Sequence, residues 1–330
     1  VRESSATRDT PPRETGSPAV KGEGVVSVDQ VLPLLRQVFG TQVELAGCRV
    51  GNRQHDYMVL LVELRRPSVR AVMKLAGPEA ALPCPFDRTA MLHQVVSAGT
   101  DIRMPEVLAV DTSYRDVPWR YFIKSYTPGQ EWAVVRPQLS PEELSDAFRQ
   151  IGRAVALLHS IRFPSFGELA ADGGVVSGRS YLAALAEHAR QAIKSARLSD
   201  LFSLVLERHR ALFLDLHEAS LCHEDLHQHN ILFEHRLGRW HLATILDFDK
   251  AWAGHHETDL ARLDLWRGMS SREFWESYET IRPVEPLYQQ RRPIHQLLWC
   301  LEYARPTAEH LADTRRVCAE LGLPPLKHFP

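Results

Sequence analysis

Between Leu221 and Asp249 the chain reads LCHEDLHQHNILF, then a polar turn, then LATILDFD, so His223, Asp225, Asn230 and Asp247 stand between short apolar runs. An Asp, an Asn five residues later and a second Asp beyond the next apolar run can converge on one point. Asn and Asp offer oxygens to a hard divalent cation such as Mg²⁺, which takes one or two carboxylates and completes its shell with water and phosphate oxygens. Asn230 and Asp247 would suffice as the cation's ligands, with one carboxylate left for a substrate hydroxyl.

Those residues need a scaffold. Asn230 to Phe233 and Leu242 to Leu246 predict two strands of a hairpin joined through His235–Arg239, with Gly238 near the turn. Polar groups then fall at strand ends, where a rigid frame presents them to solvent. Downstream, Asp259-Leu260-Ala261-Arg262-Leu263 predicts a helix that Asp259 would open as an N-terminal carboxylate. Asp249 reads as structural.

The surrounding chain narrows the function class. Its 330 residues and 44% hydrophobic content supply a substantial core, and two lobes fit that length. A formal net charge of -2 gives no footprint for nucleic acid or an anionic membrane. No apolar run approaches the roughly 18 residues that span a bilayer, so a soluble, cytoplasmic chain, monomer or dimer, with a small hydroxylated substrate is expected. Cys48, Cys84, Cys222, Cys300 and Cys318 are scattered without a CxxC pair, which argues for reduced thiols. His223, His227, His229, His235 and His241 crowd one region, with His255-His256 after it; a zinc cluster competes there with ordinary loop histidines.

In chain order, residues 1–24 are Ser-, Pro-, Arg- and Glu-rich and read as a disordered tail. SVDQVLPLLRQVFG predicts a helix capped by Ser27, weakened by Pro33 and ended by Gly40. Val43–Leu45, Tyr57–Leu64 and Val69–Leu75 predict strands, with Gly47–Arg53 as a loop between the first two. Its glycines, Gly51 among them, can let backbone N–H groups approach a phosphate, or can form a plain hairpin turn. Lys74 sits on the third strand among apolar neighbours, where a core-facing ammonium needs a partner. Phe86–Ala98 predicts a helix, Val107–Val110 and Tyr121–Ile123 further strands. Residues 25–123 form the expected N-terminal lobe, 124–129 a linker and 130–330 a mainly helical C-terminal lobe. Ser140-Pro141-Glu142-Glu143 is a capping box opening an apolar stripe of Leu144, Phe148, Ile151, Val155 and Leu158, with His159 at its end. Tyr181–Ser195 and Leu201–His217 predict further helices.

The pattern His223-x-Asp225-x4-Asn230, then Ile245-Leu246-Asp247-Phe248-Asp249, then Gly254-x4-Asp259-Leu260-Ala261, resembles the aminoglycoside phosphotransferase and choline-kinase-like family, small-molecule relatives of the protein kinases. The resemblance covers all but the tail and about the last sixty residues. It implies an α+β, bilobal, protein-kinase-like fold with a small β-rich N-lobe and a larger mainly helical C-lobe, and a Mg²⁺-dependent transfer of phosphate from ATP or GTP to a hydroxyl. By the same resemblance Asp225 takes the acceptor proton, His223 belongs with it in the catalytic loop as a brace, and Asn230 and Asp247 hold Mg²⁺. Lys74 contacts the nucleotide phosphates, and backbone groups near Ser125, Tyr126 and Thr127 bind the base.

The chain departs from the family pattern twice. Thr89 stands where the family carries a Glu that pairs with the lysine, leaving Asp87 or Glu79 as substitutes. Glu224 stands where a small residue is common; it points into water or faces a cationic substrate. Glu224, Trp266, Glu273, Trp299 and Glu302 are candidates for an acidic, aromatic acceptor pocket, although a Trp at helical spacing also suits a core. An aminoglycoside-like or other antibiotic is the leading acceptor, with choline, sugar or amino-alcohol metabolites behind it. A catalytically silent nucleotide-binding scaffold, suggested by Thr89, is the competing reading.

Overall fold

The structure, a computed structural model, describes residues 28–53, 57–80, 85–302 and 307–324. The expected N-terminal tail, the Ser27 cap and Cys84 lie outside them. Helix α1 (Val28–Phe39) tolerates Pro33 within it and is followed by Gly40 at a φ of 92°, a left-handed backbone that glycine adopts without a Cβ penalty. Strands β1 (Glu44–Arg53), β2 (Met58–Arg66) and β3 (Val69–Ala76) follow, then helix α2 (Phe86–Gly99), β4 (Val107–Asp111) and β5 (Arg120–Ser125). They form an antiparallel sheet in the order β1-β2-β3-β5-β4.

Gly47–Arg53, expected as a loop, is instead part of β1 and pairs with β2 through irregularities at Leu45/Gly47 and Val50/Asn52. Two glycines did not break the strand because bulges absorb the extra residues. Alternation gives the sheet two faces. Leu60, Val62 and Leu64 pack with Ala71, Met73 and Leu75 and with Val31, Leu34 and Leu35 of α1. On the other face Lys74 stands opposite Val59, Val72 opposite Leu61 and Arg70 opposite Glu63.

The chain then leaves this sheet. Strand β6 (Gln130–Glu131) pairs with a later strand, and α3 (Trp132–Val135) precedes α4 (Pro141–Ser160). The predicted capping box opens α4: Ser140 Oγ accepts from the Glu143 N–H, and Glu143 accepts from the Ser140 N–H. Strands β7 (Arg162–Phe163), β8 (Phe166–Leu169) and β9 (Val175–Arg179) were not anticipated, being too short for a periodic signal. Helix α5 (Tyr181–Ala192) ends earlier than expected, and α6 (Ala196–Arg208) starts earlier and gives way to a 3-10 turn at Arg210–Phe213.

Strand β10 (Ala219–Cys222) leads into the motif, β11 (Ile231–Arg236) and β12 (Arg239–Ile245) form the predicted hairpin, and β13 (Trp252–Gly254) follows. The turn is tighter than expected: Leu237 and Gly238 alone close it, at φ of 53° and 75°, the positive values that a two-residue hairpin turn needs. Helices α7 (Glu257–Leu265), α8 (Arg272–Ile281), α9 (Tyr288–Glu302) and α10 (Ala308–Glu320) complete the chain. The fold is thus α+β, β-rich in its N-terminal part and mainly helical after it. Its largest core joins α4, the hairpin and α8 through Ile151, Val155, Ile231, Phe233, Ile245 and Phe274. Among the described residues no helix is long and apolar enough to cross a membrane.

Candidate active site

The loop from His223 to Asn230 joins β10 to β11, and its start is held from α7. Asp259 accepts the backbone N–H groups of His223 and Glu224, each at 2.7 Å, and lies 3.1 Å from His159 Nε2. His159 in turn meets the Tyr278 hydroxyl at 2.9 Å. Burial alone would raise the Asp259 pKa; the bond and charge of His159 outweigh it and hold the carboxyl below its ordinary range. Asp259 is therefore more than a helix N-terminal charge: it fixes the loop backbone.

His223 is fully buried. The Asp225 N–H donates to its Nδ1 at 3.2 Å, so the ring proton belongs on Nε2, which lies 2.8 Å from the Leu246 carbonyl. The ring braces the loop against the segment before Asp247 and does not reach the open side. Asp225 does, with its side chain 25% exposed. The Asn230 amide nitrogen donates to the Asp225 carbonyl at 2.9 Å, leaving its oxygen as the group a cation would use. The Leu246 N–H donates to the Asn230 carbonyl at 2.8 Å, and Ile231 pairs with Ile245. The hairpin thus sets Asn230 and Asp247 at adjoining strand ends.

Asp247 adopts a φ of 68°, a conformation uncommon for a residue with a Cβ and found where function constrains the backbone. Its Oδ1 takes the Lys74 ammonium at 2.7 Å, while Asp249 Oδ2 takes the same ammonium at 2.8 Å. Burial would lower the Lys74 pKa, but Asp247 and Asp249 raise it above its ordinary value. Burial likewise opposes ionisation of Asp247, and Lys74 overrides it, leaving that carboxyl well below its usual range. Asp249 goes the other way, pushed up by burial and by the charge of Asp247.

Three expectations change here. Asp87 is not the partner of Lys74; its carboxylate accepts the N–H of Arg88 at the start of α2. No contact brings Glu79 to Lys74 among the described residues. Asp249, expected to be structural, supplies the second acid, and Thr89 donates its hydroxyl to Asp249 Oδ1 at 2.8 Å. A second buried lysine was missed altogether. Lys124 of β5 lies opposite Val72 on the Lys74 face, its pKa lowered to about 8 by burial and then by Lys74. Its period-2 position in Tyr121–Ser125 was the available signal.

On that same face a cavity of about 220 Å³ is lined by Gly47, Arg49, Leu61, Arg70 and Tyr126 among others. The Arg70 guanidinium lies 3.9 Å over the Tyr126 ring, a cation–π contact that closes one side of it. The N–H groups of Ser125 and Tyr126, expected to be open to a base, are already bonded to the carbonyls of Glu106 and Arg70 at 2.8 and 2.9 Å. Gly51 lies further along β1, at the irregularity between Val50 and Asn52.

Beyond Asp225 the expected acidic pocket is largely neutralised. Glu224, at a φ of 63°, is 1% exposed, so it neither points into water nor waits for a cationic substrate. Trp252 Nε1 donates to its Oε1 at 2.9 Å, and Arg262 closes on its Oε2. Arg262 also reaches Glu302 Oε2 at 2.7 Å, and Lys250 reaches Glu302 Oε1 at 3.1 Å while standing 3.9 Å from Asp225 Oδ1. A buried guanidinium is stable only with acidic partners, and these two glutamates provide them. Burial would raise the Glu302 pKa; Arg262 and then Lys250 bring it to about 2.

Trp266 and Trp299 do come together, edge to face at 5.4 Å, and Trp266 stands 6.1 Å from His227, whose Nε2 is 3.7 Å from Asp225 Oδ2. Glu273 does not join them: it accepts from Ser271 Oγ at 2.9 Å in the first turn of α8. The loop histidines also disperse. His229 meets Glu131 and His235 meets the Trp240 ring. Among the described residues the donor atoms that converge are those of His255, His256 and Glu257, and there the carboxylate is held by Arg291.

Compared with known proteins, the family model described as the phosphotransferase enzyme family matches residues 47–293. Among solved structures the chain is similar to a thermostable mutant of aminoglycoside phosphotransferase APH(4)-Ia in ternary complex with ADP and hygromycin B. That match has a TM-score of 0.60 at 16% identity and covers 89% of this chain and 97% of that one. It is also similar to an ethanolamine kinase of Plasmodium vivax, with a TM-score of 0.52 at 15% identity over 85% of this chain and 82% of that one. Spectinomycin phosphotransferase APH(9)-Ia, in complex with ADP and spectinomycin, gives 0.51 at 13% identity over 91% and 98%. At these identities the structures share the fold. No curated protein sequence matches.

Proposed function

We propose, from the premise that this chain belongs to the phosphotransferase enzyme family, that it moves the γ-phosphate of ATP or GTP to a hydroxyl of a small molecule. The observation that carries the reading is a partly exposed Asp225 on a loop pinned by Asp259; the Asp225 carbonyl takes the amide of Asn230, the residue set beside Asp247 of the Lys74, Asp247 and Asp249 cluster. Phosphoryl transfer passes through a loose transition state and asks a protein mainly for alignment and charge neutralisation.

In this reading Asp225 orients the acceptor hydroxyl and takes its proton as the hydroxyl oxygen bonds to the γ-phosphorus. The bond from that phosphorus to the bridging oxygen breaks, and the nucleoside diphosphate leaves with the electron pair. Lys74 holds phosphate oxygens of the nucleotide. Asn230 and Asp247 fit Mg²⁺, being one amide oxygen and one carboxylate at adjoining strand ends, with water and phosphate left to complete the shell. The bound cation would neutralise developing phosphate charge. The base fits near Ser125 to Thr127, where the cavity beside Tyr126 opens; Gly51 is assigned to the phosphate side. The N-terminal sheet and the mainly helical part after it act as two lobes about the 124–129 linker, whose first two residues, Lys124 and Ser125, close β5.

An aminoglycoside-like or other antibiotic is the leading acceptor class, which the shared fold of the hygromycin and spectinomycin enzymes supports. The neutralised Glu224 and Glu302 favour a metabolic alcohol or a weakly charged antibiotic as the second reading, since they leave His227 and Lys250 beside Asp225, with Trp266 against His227 and Trp299 against Trp266. A silent scaffold loses its motive, because Asp249 gives Lys74 an acid that Thr89 does not. The test is Asp225→Asn. It folds, binds MgATP or MgGTP, and loses about 10²- to 10⁴-fold in transfer, scored by mass gain on a panel of antibiotics and small alcohols. Full transfer by that variant overturns the reading.

A further inference from the structure

Lys74 is buried between two carboxylates that cannot have the same task. The residue is 6% exposed, and its ammonium bonds to Asp247 and Asp249 at 2.7 and 2.8 Å. Asp247, itself in the left-handed region, precedes the 3-10 turn Phe248–Lys250 at the end of the hairpin and lies beside Asn230, the other cation ligand in the reading given above. Asp249 has both oxygens committed to protein: Oδ2 to Lys74 and Oδ1 to the Thr89 hydroxyl at 2.8 Å. Its backbone carbonyl accepts from Arg88 at 2.6 Å, so helix α2 grips it at two points. Thr89 is itself 1% exposed, so its hydroxyl has little alternative to this bond.

We propose that Asp249, held by Thr89, is the positioning residue of Lys74: when a cation engages Asp247, the Lys74 ammonium stays on Asp249 and is aimed at the nucleotide phosphates. The proposal rests on the phosphotransferase reading and divides the two carboxylates between cation and lysine. Removing both acids from a buried ammonium would leave it uncompensated, which is strongly unfavourable; Asp249 prevents this each time Asp247 turns to the cation. Thr89 suits the task because it fixes the carboxylate without adding charge. A Glu at that position would extend past Thr89 Oγ1 towards Lys74 and set a second carboxylate against Asp249. The acid can therefore reside on the helix or on the turn, and in this chain it resides on the turn.

That exchange supplies the experiment, in which ADP binding to the full chain is measured by calorimetry with Mg²⁺ and with chelator. Asp249→Asn is expected to weaken ADP about tenfold with Mg²⁺ and less with chelator, because Asp247 still holds Lys74 when no cation engages it. Thr89→Glu alone weakens ADP, since two carboxylates crowd one ammonium. The Asp249→Asn, Thr89→Glu double variant is expected to return to within a few-fold of the parent, the non-additivity that marks direct coupling. Thr89→Val, which keeps every charge, is expected to fold and to weaken ADP about fivefold for one lost hydrogen bond, and it decides the matter should Asp249→Asn fail to fold. A loss in Asp249→Asn that a higher Mg²⁺ concentration restores makes Asp249 a metal ligand and overturns the proposal. A double variant no better than Asp249→Asn, or unchanged binding in Thr89→Val, overturns it as well. A parent chain that binds neither ADP nor MgADP overturns the phosphotransferase reading itself, a result distinct from all of these.

Discussion

Arg262 grips Glu224 twice, through the side-chain carboxylate and through the backbone carbonyl at 2.6 Å. Glu224 immediately precedes Asp225, so this one arginine fixes both the charge and the backbone next to the proton acceptor. The positive φ of Glu224 is held by these contacts and by its N–H on Asp259. Glu224 is thus a support of the loop.

Its substitution should therefore read out in stability. Glu224→Ala strands the buried Arg262 with Glu302 alone and is expected to cost about 3–5 kcal/mol in urea denaturation. Glu224→Gln keeps an acceptor for Trp252 Nε1 and loses less. In that milder variant the KM for a phosphorylated acceptor stays within about twofold of the parent, as it does when no ground-state contact is removed. A large rise in acceptor KM at unchanged stability would return Glu224 to the substrate pocket.

Asp259 should separate chemistry from nucleotide binding. Its two oxygens accept the His223 and Glu224 N–H groups, while Lys74 and Asp249 are anchored independently from β3 and α2. Asp259→Asn turns an NH₂ towards one of those N–H groups and leaves a buried donor unsatisfied, at a cost of about 1–3 kcal/mol. The expected result is a lowered kcat with an unchanged ADP affinity, compared by steady-state kinetics and calorimetry. Equal losses in both would mean that Asp259 supports the whole site.

What the sequence disclosed follows physical range. The capping box at Ser140, the hairpin and the Asp225, Asn230 and Asp247 spacing are local patterns, each contained in one short stretch of chain. The partners of Lys74 and Glu224 were not, because Asp249 lies 175 positions from Lys74 and Arg262 lies 38 from Glu224. Glu224 and Glu302 looked like open acids since the sequence does not show which basic side chain folds onto them. Gly47 and Gly51 suggested a loop for the opposite reason: bulges let β1 carry them, and a bulge has no composition signal as strong as a turn's.

The last relationship concerns acid stability. Arg291 forks onto Glu257 with two hydrogen bonds of 2.6 Å, and both side chains are at most 3% exposed. Burial by itself would raise the Glu257 pKa, yet the Arg291 bonds outweigh it and bring the carboxyl from its ordinary 4.5 to about 2. A carboxyl depressed on folding contributes stability that is fully present above the unfolded value and is lost as pH falls through the folded one. Glu257 should then contribute about 3 kcal/mol at neutral pH, vanishing between pH 4.5 and about 2. Arg291→Met removes the fork and leaves burial dominant, so its carboxyl takes up a proton at higher pH. The stability difference between parent and variant, from urea denaturation at a series of pH values, is expected to be largest near pH 7. It should shrink as pH drops below the unfolded value, because the parent loses there what the variant has already lost. Other carboxylates titrate in both proteins and cancel in the difference. A difference that stays constant down to the acid limit would mean that Arg291 acts through packing and its bond to the Leu212 carbonyl at 3.1 Å, with the charge of Glu257 immaterial.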